Sequence, residues 1–173
     1  MTALSVADLI AATGDRLDAA DLPTNLDLSG AQLVASESGV LLIADFGIPT
    51  LESTTAALKM LVQVAGESGR SIAVLGELHG EAIEANDDHD AVGRLVVRLN
   101  VSQLVVVGHG ARHIHNAAGL EGSWDGESQL VDTAGEAYDL LREQLREGDV
   151  VLIKASRSEG FESLVHQLGG APE

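Results

Sequence analysis

The chain has 173 residues, enough for one domain with a stable core, and its ten Lys and Arg residues against 27 Asp and Glu residues give a formal net charge of −17. A surface with that charge repels the phosphates of nucleic acids and of anionic membranes, so we expect neither as a partner. Cysteine is absent, which excludes disulfides, thiol catalysis and Cys-based zinc sites.

The sequence contains no apolar run near the roughly 20 residues that a membrane-spanning helix needs. Its first residues lack the basic and apolar regions of a signal peptide. We therefore expect a cytoplasmic protein.

The first 30 residues differ in pattern from the rest. Residues 1–30 predict a linker with one short helix over 5–13, and we expect the folded α/β domain to occupy residues 31–173. The acidic stretch 15–30 has no periodicity and contains Pro23. Such a segment is typical of the tail of a preceding domain.

The remainder alternates short apolar runs with segments of helical periodicity, in the order ββαβαβαβαβα. The predicted strands cover 32–35, 40–45, 71–76, 103–107, 128–131 and 149–153, and the predicted helices cover 51–68, 87–99 after an Asn86 cap, 111–118, 133–147 and 161–168. This order predicts a three-layer, Rossmann-like α/β fold with a six-stranded, mostly parallel sheet. The initial hairpin supplies an antiparallel edge strand.

The turn after the last predicted strand carries residues suited to an anion. Strand 149–153 leads into Lys154, Ser156 and Arg157. Open α/β sheets bind ligands at the carboxyl ends of their strands, so we expect this turn to hold a small anionic molecule. The alternative is that its cations only make a loop soluble. The prediction requires a free Lys154 ammonium, and a buried ion pair there would contradict it.

Two other patterns point to weaker alternatives. Gly108-His109-Gly110 lies between a strand and a helix, but the third glycine of a dinucleotide-binding motif is replaced by His113, so a tight turn is favoured over a nicotinamide or flavin site. His109, His113 and His115 have no carboxylate within their segment to complete a metal site, and we predict no metal ligands. No phosphate-binding loop occurs, and we assign no catalytic residue to this chain.

Four stretches resemble, in order, motifs of the C-terminal domain of Mur ligases. Residues 154–162, K-A-S-R-S-E-G-F-E, resemble K-G-S-R-x-M-G-L-E, and residues 72–77, I-A-V-L-G-E, resemble I-A-V-L-G-D. Residues 89–93 resemble H-x-x-V-G, and residues 104–108 resemble L-x-x-V-G. The similarity is strongest to the members that add D-alanyl-D-alanine to a peptidoglycan precursor.

The resemblance implies an ATP- and Mg²⁺-dependent ligase that forms an amide through an acyl phosphate. ATP and Mg²⁺ belong to the central domain of such an enzyme, so this domain alone is expected to bind no cofactor and to have no turnover. Its implied role is to bind D-alanyl-D-alanine or a similar small carboxylate through Lys154 and Ser156, with Arg157 as a helper. The resemblance places Asp45 and Ser53 at the nucleotide cleft, facing the central ATP-binding domain.

One loop departs from the family pattern D-x-Y-N-A-N-P-x-S. Residues 45–53 have the sequence D-F-G-I-P-T-L-E-S. This stretch keeps Asp45 and Ser53 but lacks the two asparagines that the family pattern has between them. The alternative function is therefore a non-catalytic binding or interaction domain with a ligase-like fold and an altered loop at 47–51.

Overall fold

The computed structural model describes residues 4–14 and 16–170. Its strands are β1 (Ala31–Ala35), β2 (Leu41–Asp45), β3 (Ser71–Leu75), β4 (Gln103–Val107), β5 (Glu127–Val131) and β6 (Val150–Lys154). Its α-helices are α1 (Val6–Ala12), α2 (Leu51–Ala65), α3 (Ala82–Arg98), α4 (Arg112–Leu120), α5 (Ala134–Gln144) and α6 (Glu159–Leu168). None of these helices is long and apolar enough to cross a bilayer.

The six strands form one sheet in the order β1-β2-β6-β3-β4-β5. β1 is antiparallel to β2, and the other neighbours are parallel. All five residues of β3, β4 and β6 are buried, because helices cover both faces of this part of the sheet. The predicted fold class is thereby confirmed, with β6 at the centre of the sheet.

Helices on the two faces bury two separate cores. Helices α1 to α4 pack on one face with Leu152 and Ala73, and α5 and α6 pack on the other with Ile153 and Val74. Neighbouring residues of one strand alternate between the cores because successive side chains point to opposite faces. The chain therefore leaves β2 and β3 towards one face and leaves β6 towards the other. This reversal opens a crevice on each side of the carboxyl end of β6.

The described part of the N-terminal segment packs against the domain. Leu9, Leu17, Leu22 and Leu28 are buried within the core on the α1–α4 face. The Leu4 amide donates to the Ala31 carbonyl at 3.2 Å, which joins the segment to the start of β1. Its assignment as the tail of a preceding domain stays a prediction.

The start of α3 differs from the sequence prediction. The helix begins at Ala82, with Glu81 as its N-cap, and Asn86 lies inside it. Asn86 was expected to cap the helix because Asn is favoured at that position. Residues 82–85 are Ala, Ile, Glu and Ala, which have sufficient helix propensity to extend the helix by a turn without a side-chain cap.

Close packing of α3 on α4 depends on Gly93, and this gives the first prediction. A Cβ at Gly93 would overlap with the Ile114 carbonyl oxygen and lie 2.9 Å from the Ala117 Cβ. We expect Gly93→Ala to lower the free energy of unfolding by about 1–3 kcal/mol through overpacking, measured by urea denaturation. Gly119→Ala is the control, because a Cβ at Gly119 on α4 meets nothing within 4 Å. Equal losses in the two variants would contradict the prediction.

Candidate functional site

The crevice between β2 and β6 is closed by an ion pair. Asp45 ends β2 and Lys154 ends β6, and the parallel register places them side by side. Lys154 Nζ lies 2.9 Å from Asp45 Oδ2, and the two side chains are only 2% and 7% exposed. Each charge partly offsets the other's loss of water, so removal of one partner alone is costly.

The same pair holds the loop that follows β2. Asp45 Oδ1 accepts a hydrogen bond from the Gly47 amide at 2.9 Å, and Lys154 Nζ donates to the Gly47 carbonyl at 3.4 Å. The Phe46 amide donates to the Gly30 carbonyl at 3.0 Å. Every polar atom of the pair therefore faces the protein's own chain. The expectation that the Lys154 ammonium is free to hold a ligand's carboxylate is corrected by this geometry.

Ser53 belongs to the cap of α2. Its Oγ accepts from the Thr50 amide at 3.0 Å and donates to the Ile48 carbonyl at 2.9 Å. Ser53 thus uses its hydroxyl within the loop between β2 and α2, and Asp45 divides its carboxylate oxygens between that loop and Lys154 of β6. Their placement at a nucleotide cleft stays a prediction. No three His, Cys, Asp or Glu side chains within 4–14 and 16–170 are grouped to hold a metal ion.

The crevice on the other side of β6, next to β3, is open. It forms a cleft of about 420 Å³ at the carboxyl ends of β3, β4, β5 and β6. Gly76, which follows β3, permits the strands to lie close there, because a Cβ at this position would be 2.9 Å from the Ala155 Cβ. Ser156 and Arg157 line this cleft, so the structure places two of the three residues predicted to bind substrate together at the sheet edge.

Two helices begin at the cleft. Thr133 caps α5 by accepting from the Glu136 amide at 3.2 Å, and Ser158 caps α6 by accepting from the Phe161 amide. Both caps line the cleft. The N-terminal end of a helix carries a partial positive charge, so these two ends favour an anionic group in the cleft.

Arg157 lies at the mouth of the cleft and is 61% exposed. Its Nη1 lies 2.6 Å from Glu162 Oε1, and its guanidinium carbon lies 5.1 Å from the centre of the Phe46 ring. Neither Phe46 nor Glu162 lines the cleft, so the guanidinium must turn away from both to meet a ligand there. The exposed ion pair that this turn breaks contributes little to stability. Glu77 and Asp132 also line the cleft and give it negative groups.

A buried histidine holds the loop between β3 and α3. His89 is 1% exposed, and its Nε2 accepts from the Leu78 amide at 2.9 Å. The His79 amide then donates to the Pro49 carbonyl at 2.7 Å. Burial lowers the pKa of His89, which keeps the imidazole neutral and able to accept this hydrogen bond. In the sequence His89 is part of the H-x-x-V-G resemblance, and its role as a hydrogen-bond acceptor follows from the folded loop.

His113 and His115 contact different partners. His113 Nδ1 lies 3.7 Å from Asp90 Oδ1, and His115 Nδ1 lies 2.7 Å from Ser128 Oγ.

The Glu77 carboxylate packs against Gly110, where a Cβ would lie 2.5 Å from Glu77 Cδ. A carboxylate at this position repels phosphate, which disfavours a dinucleotide at the Gly108–Gly110 turn.

The single Trp has a structural contact in the fold. Trp124 Nε1 donates to the Val101 carbonyl at 2.9 Å. This hydrogen bond joins the loop between α4 and β5 to the segment that precedes β4.

A model of the family described as "Mur ligase, glutamate ligase domain" matches residues 31–157. This range contains all six strands and the turn after β6. The match therefore covers the sheet and the cleft residues Glu77, Asp132, Ser156 and Arg157.

Curated relatives and solved structures give the same result. The chain is 40% identical over 152 residues to the UDP-N-acetylmuramoyl-tripeptide–D-alanyl-D-alanine ligase of Mycobacterium leprae, covering 80% of this chain and 29% of that protein. The ligase of the same name from Mycobacterium tuberculosis is 37% identical over 153 residues, covering 79% of this chain and 30% of that protein. MurF from Acinetobacter baumannii shares the fold, with a TM-score of 0.65 at 23% identity over 80% of this chain and 30% of that chain.

The buried ion pair gives the second prediction. Lys154→Ala leaves the Asp45 carboxylate buried without a cation, and we expect the free energy of unfolding to fall by about 3–5 kcal/mol in urea denaturation at neutral pH. Replacing both residues, as Asp45→Leu with Lys154→Met, should cost less than the single change. Arg157→Ala, which breaks an exposed pair, should cost no more than about 1 kcal/mol. A loss at Lys154 as small as that at Arg157 would contradict the structural role.

The buried His89 gives the third prediction. Its pKa lies below the ordinary value of 6.5, so the unfolded chain binds this proton more readily than the folded chain. The free energy of unfolding should therefore decrease as the pH falls below 6.5, and the decrease should be smaller in His89→Gln. Urea denaturation at about pH 7.5 and about pH 5.5 measures the difference. His166→Gln, an exposed change, should retain the wild-type dependence; the same dependence in His89→Gln would refute the assignment.

Proposed function

The chain belongs to the Mur ligase family, whose glutamate ligase domain it contains, and we propose that it binds the incoming dipeptide of an ATP-dependent, cytoplasmic peptidoglycan-precursor ligase. In this proposal the enzyme joins D-alanyl-D-alanine to a UDP-N-acetylmuramoyl tripeptide through an acyl phosphate. The chain spans about 30% of the length of the curated relatives it matches. ATP and Mg²⁺ belong to the central domain of that enzyme, and the residues described above supply the surface for the dipeptide.

The observation that carries the proposal is the open cleft beside β6. Ser156 and Arg157 line it together with the N-terminal ends of α5 and α6. A hydroxyl, a guanidinium and two helix ends are donors that suit a carboxylate. In this proposal Lys154 has a structural role and does not bind the ligand, although the family motif implied that it would. Its ammonium is paired with Asp45 and buried.

An open cleft fits a domain that acts by closing on another. The cleft lies at the sheet edge where four strands end, and its mouth is accessible to a second domain. Closure of a central domain over the bound dipeptide would set the position of the amine and exclude water from the acyl phosphate.

One observation favours a second candidate, a non-catalytic interaction domain. Ile48 is 68% exposed and lies in the loop where the family pattern has two asparagines. An exposed aliphatic side chain at that point suits contact with a protein better than contact with phosphate oxygens. This candidate predicts no binding of the dipeptide.

Calorimetric titration of D-alanyl-D-alanine into the full chain gives the fourth prediction. We expect weak binding, and we expect Arg157→Ala to reduce the affinity by about tenfold or more, because it removes a charged donor to the ligand's carboxylate. Arg142→Ala is the matched control, since Arg142 is an exposed arginine of α5 that pairs with Asp139. Lys154→Ala is unsuitable here, because loss of the buried pair would disturb the fold.

The result separates the two candidates. Binding that Arg157→Ala weakens and Arg142→Ala leaves unchanged supports the ligase proposal. No detectable heat at millimolar dipeptide would overturn it and favour the interaction domain. Equal affinities of the two variants would exclude Arg157 as the group that binds the carboxylate.

A further inference from the structure

The cleft beside β6 contains carboxylates as well as donors. Glu77 follows β3, Asp132 follows β5 and Arg157 follows β6, and all three line the same cavity. Like charges repel, so a site for a simple anion is weakened by two carboxylates in its lining. A ligand that carries both a positive and a negative group matches this arrangement.

The backbone next to Glu77 is held from both the core and a neighbouring loop. The amide of Leu78, a buried residue, donates to His89 Nε2 at 2.9 Å. The amide of His79 donates to the Pro49 carbonyl at 2.7 Å. On its other side the Glu77 carboxylate packs against the backbone of Gly110. The backbone that follows Glu77 is therefore fixed, and its carboxylate lies against Gly110.

Within the described residues, neither carboxylate is paired with a cation. None of the ion pairs formed within residues 4–14 and 16–170 includes Glu77 or Asp132. Hydrogen bonds between a carboxylate and an ammonium are about twice as strong as those between neutral groups. Glu77 is exposed, so a ligand's ammonium there would have to displace water, but it would break no existing ion pair of the described residues.

We propose that Glu77 binds the ammonium group of a zwitterionic amino acid or dipeptide whose carboxylate lies at Ser156 and Arg157. Glu77 is then the residue that selects ligands with a free amine over simple carboxylates. This inference rests on the proposed function, because it assigns the other end of the same ligand. The cleft of about 420 Å³ has the size of sites that bind small molecules.

The test compares two ligands that differ only at the amine. D-alanyl-D-alanine and propionyl-D-alanine, in which a hydrogen replaces the ammonium group, are titrated into the full wild-type chain by calorimetry. We expect propionyl-D-alanine to bind about tenfold more weakly or worse. In Glu77→Gln the affinity for D-alanyl-D-alanine should fall by about tenfold, whereas that for propionyl-D-alanine should stay within about twofold. Glu143→Gln removes an exposed carboxylate of α5 and should keep the wild-type preference.

The possible outcomes separate this inference from the proposed function. If wild type binds both ligands with equal affinity, the site binds carboxylates but the assignment of Glu77 is overturned. A preference that survives in Glu77→Gln also overturns it. If neither ligand binds the wild-type chain, the proposed function fails and this inference fails with it. Loss of the preference in Glu77→Gln alone supports Glu77 as the group that recognises the amine.

Discussion

The buried ion pair of Asp45 and Lys154 joins the carboxyl ends of β2 and β6. Both side chains are buried at the carboxyl ends of their strands, so each charge is stabilised by the other in place of water. Their contacts with Gly47 tie β2, β6 and the following loop into one unit. The crevice on the β2 side of β6 is thereby filled by the protein itself. The crevice on the β3 side is the open one, and its chemistry comes from residues that lie after the strands.

The cleft is lined by charges of both signs, whereas the protein as a whole is strongly acidic. The net charge of −17 gives no electrostatic attraction at long range to a free anion. A zwitterion has no net charge, so this field neither attracts nor repels it strongly. In the proposed function, recognition would depend on short-range contacts in the cleft that Arg157, Glu77, Asp132 and the two helix ends line. The acidic surface and the bipolar cleft are therefore compatible with one class of ligand.

Much of the fold follows from local patterns. The bounds of β4 coincide with the predicted run, and the predicted hairpin and parallel strands are present. The predicted start of α3 was wrong because Asn86, a residue type favoured at helix N-caps, lies inside a longer helix. Three of the five residues proposed for function, Lys154, Asp45 and Ser53, use their polar atoms within the chain. Ser156 and Arg157 lie at the cleft, and their binding role stays a prediction.

The sequence by itself determined the fold class, the family and the position of the turn after β6. Periodicity and motifs can be read from the sequence because they are local properties of the chain. Only the tertiary structure decided which residues meet. The insertion of β6 between β2 and β3 pairs Lys154 with Asp45, and it places Ser156 and Arg157 in one cleft with Glu77. These partners are far apart along the chain, so their spacing carries no signal. Strand order and register bring them together, and these are set by how the whole sheet buries its two cores.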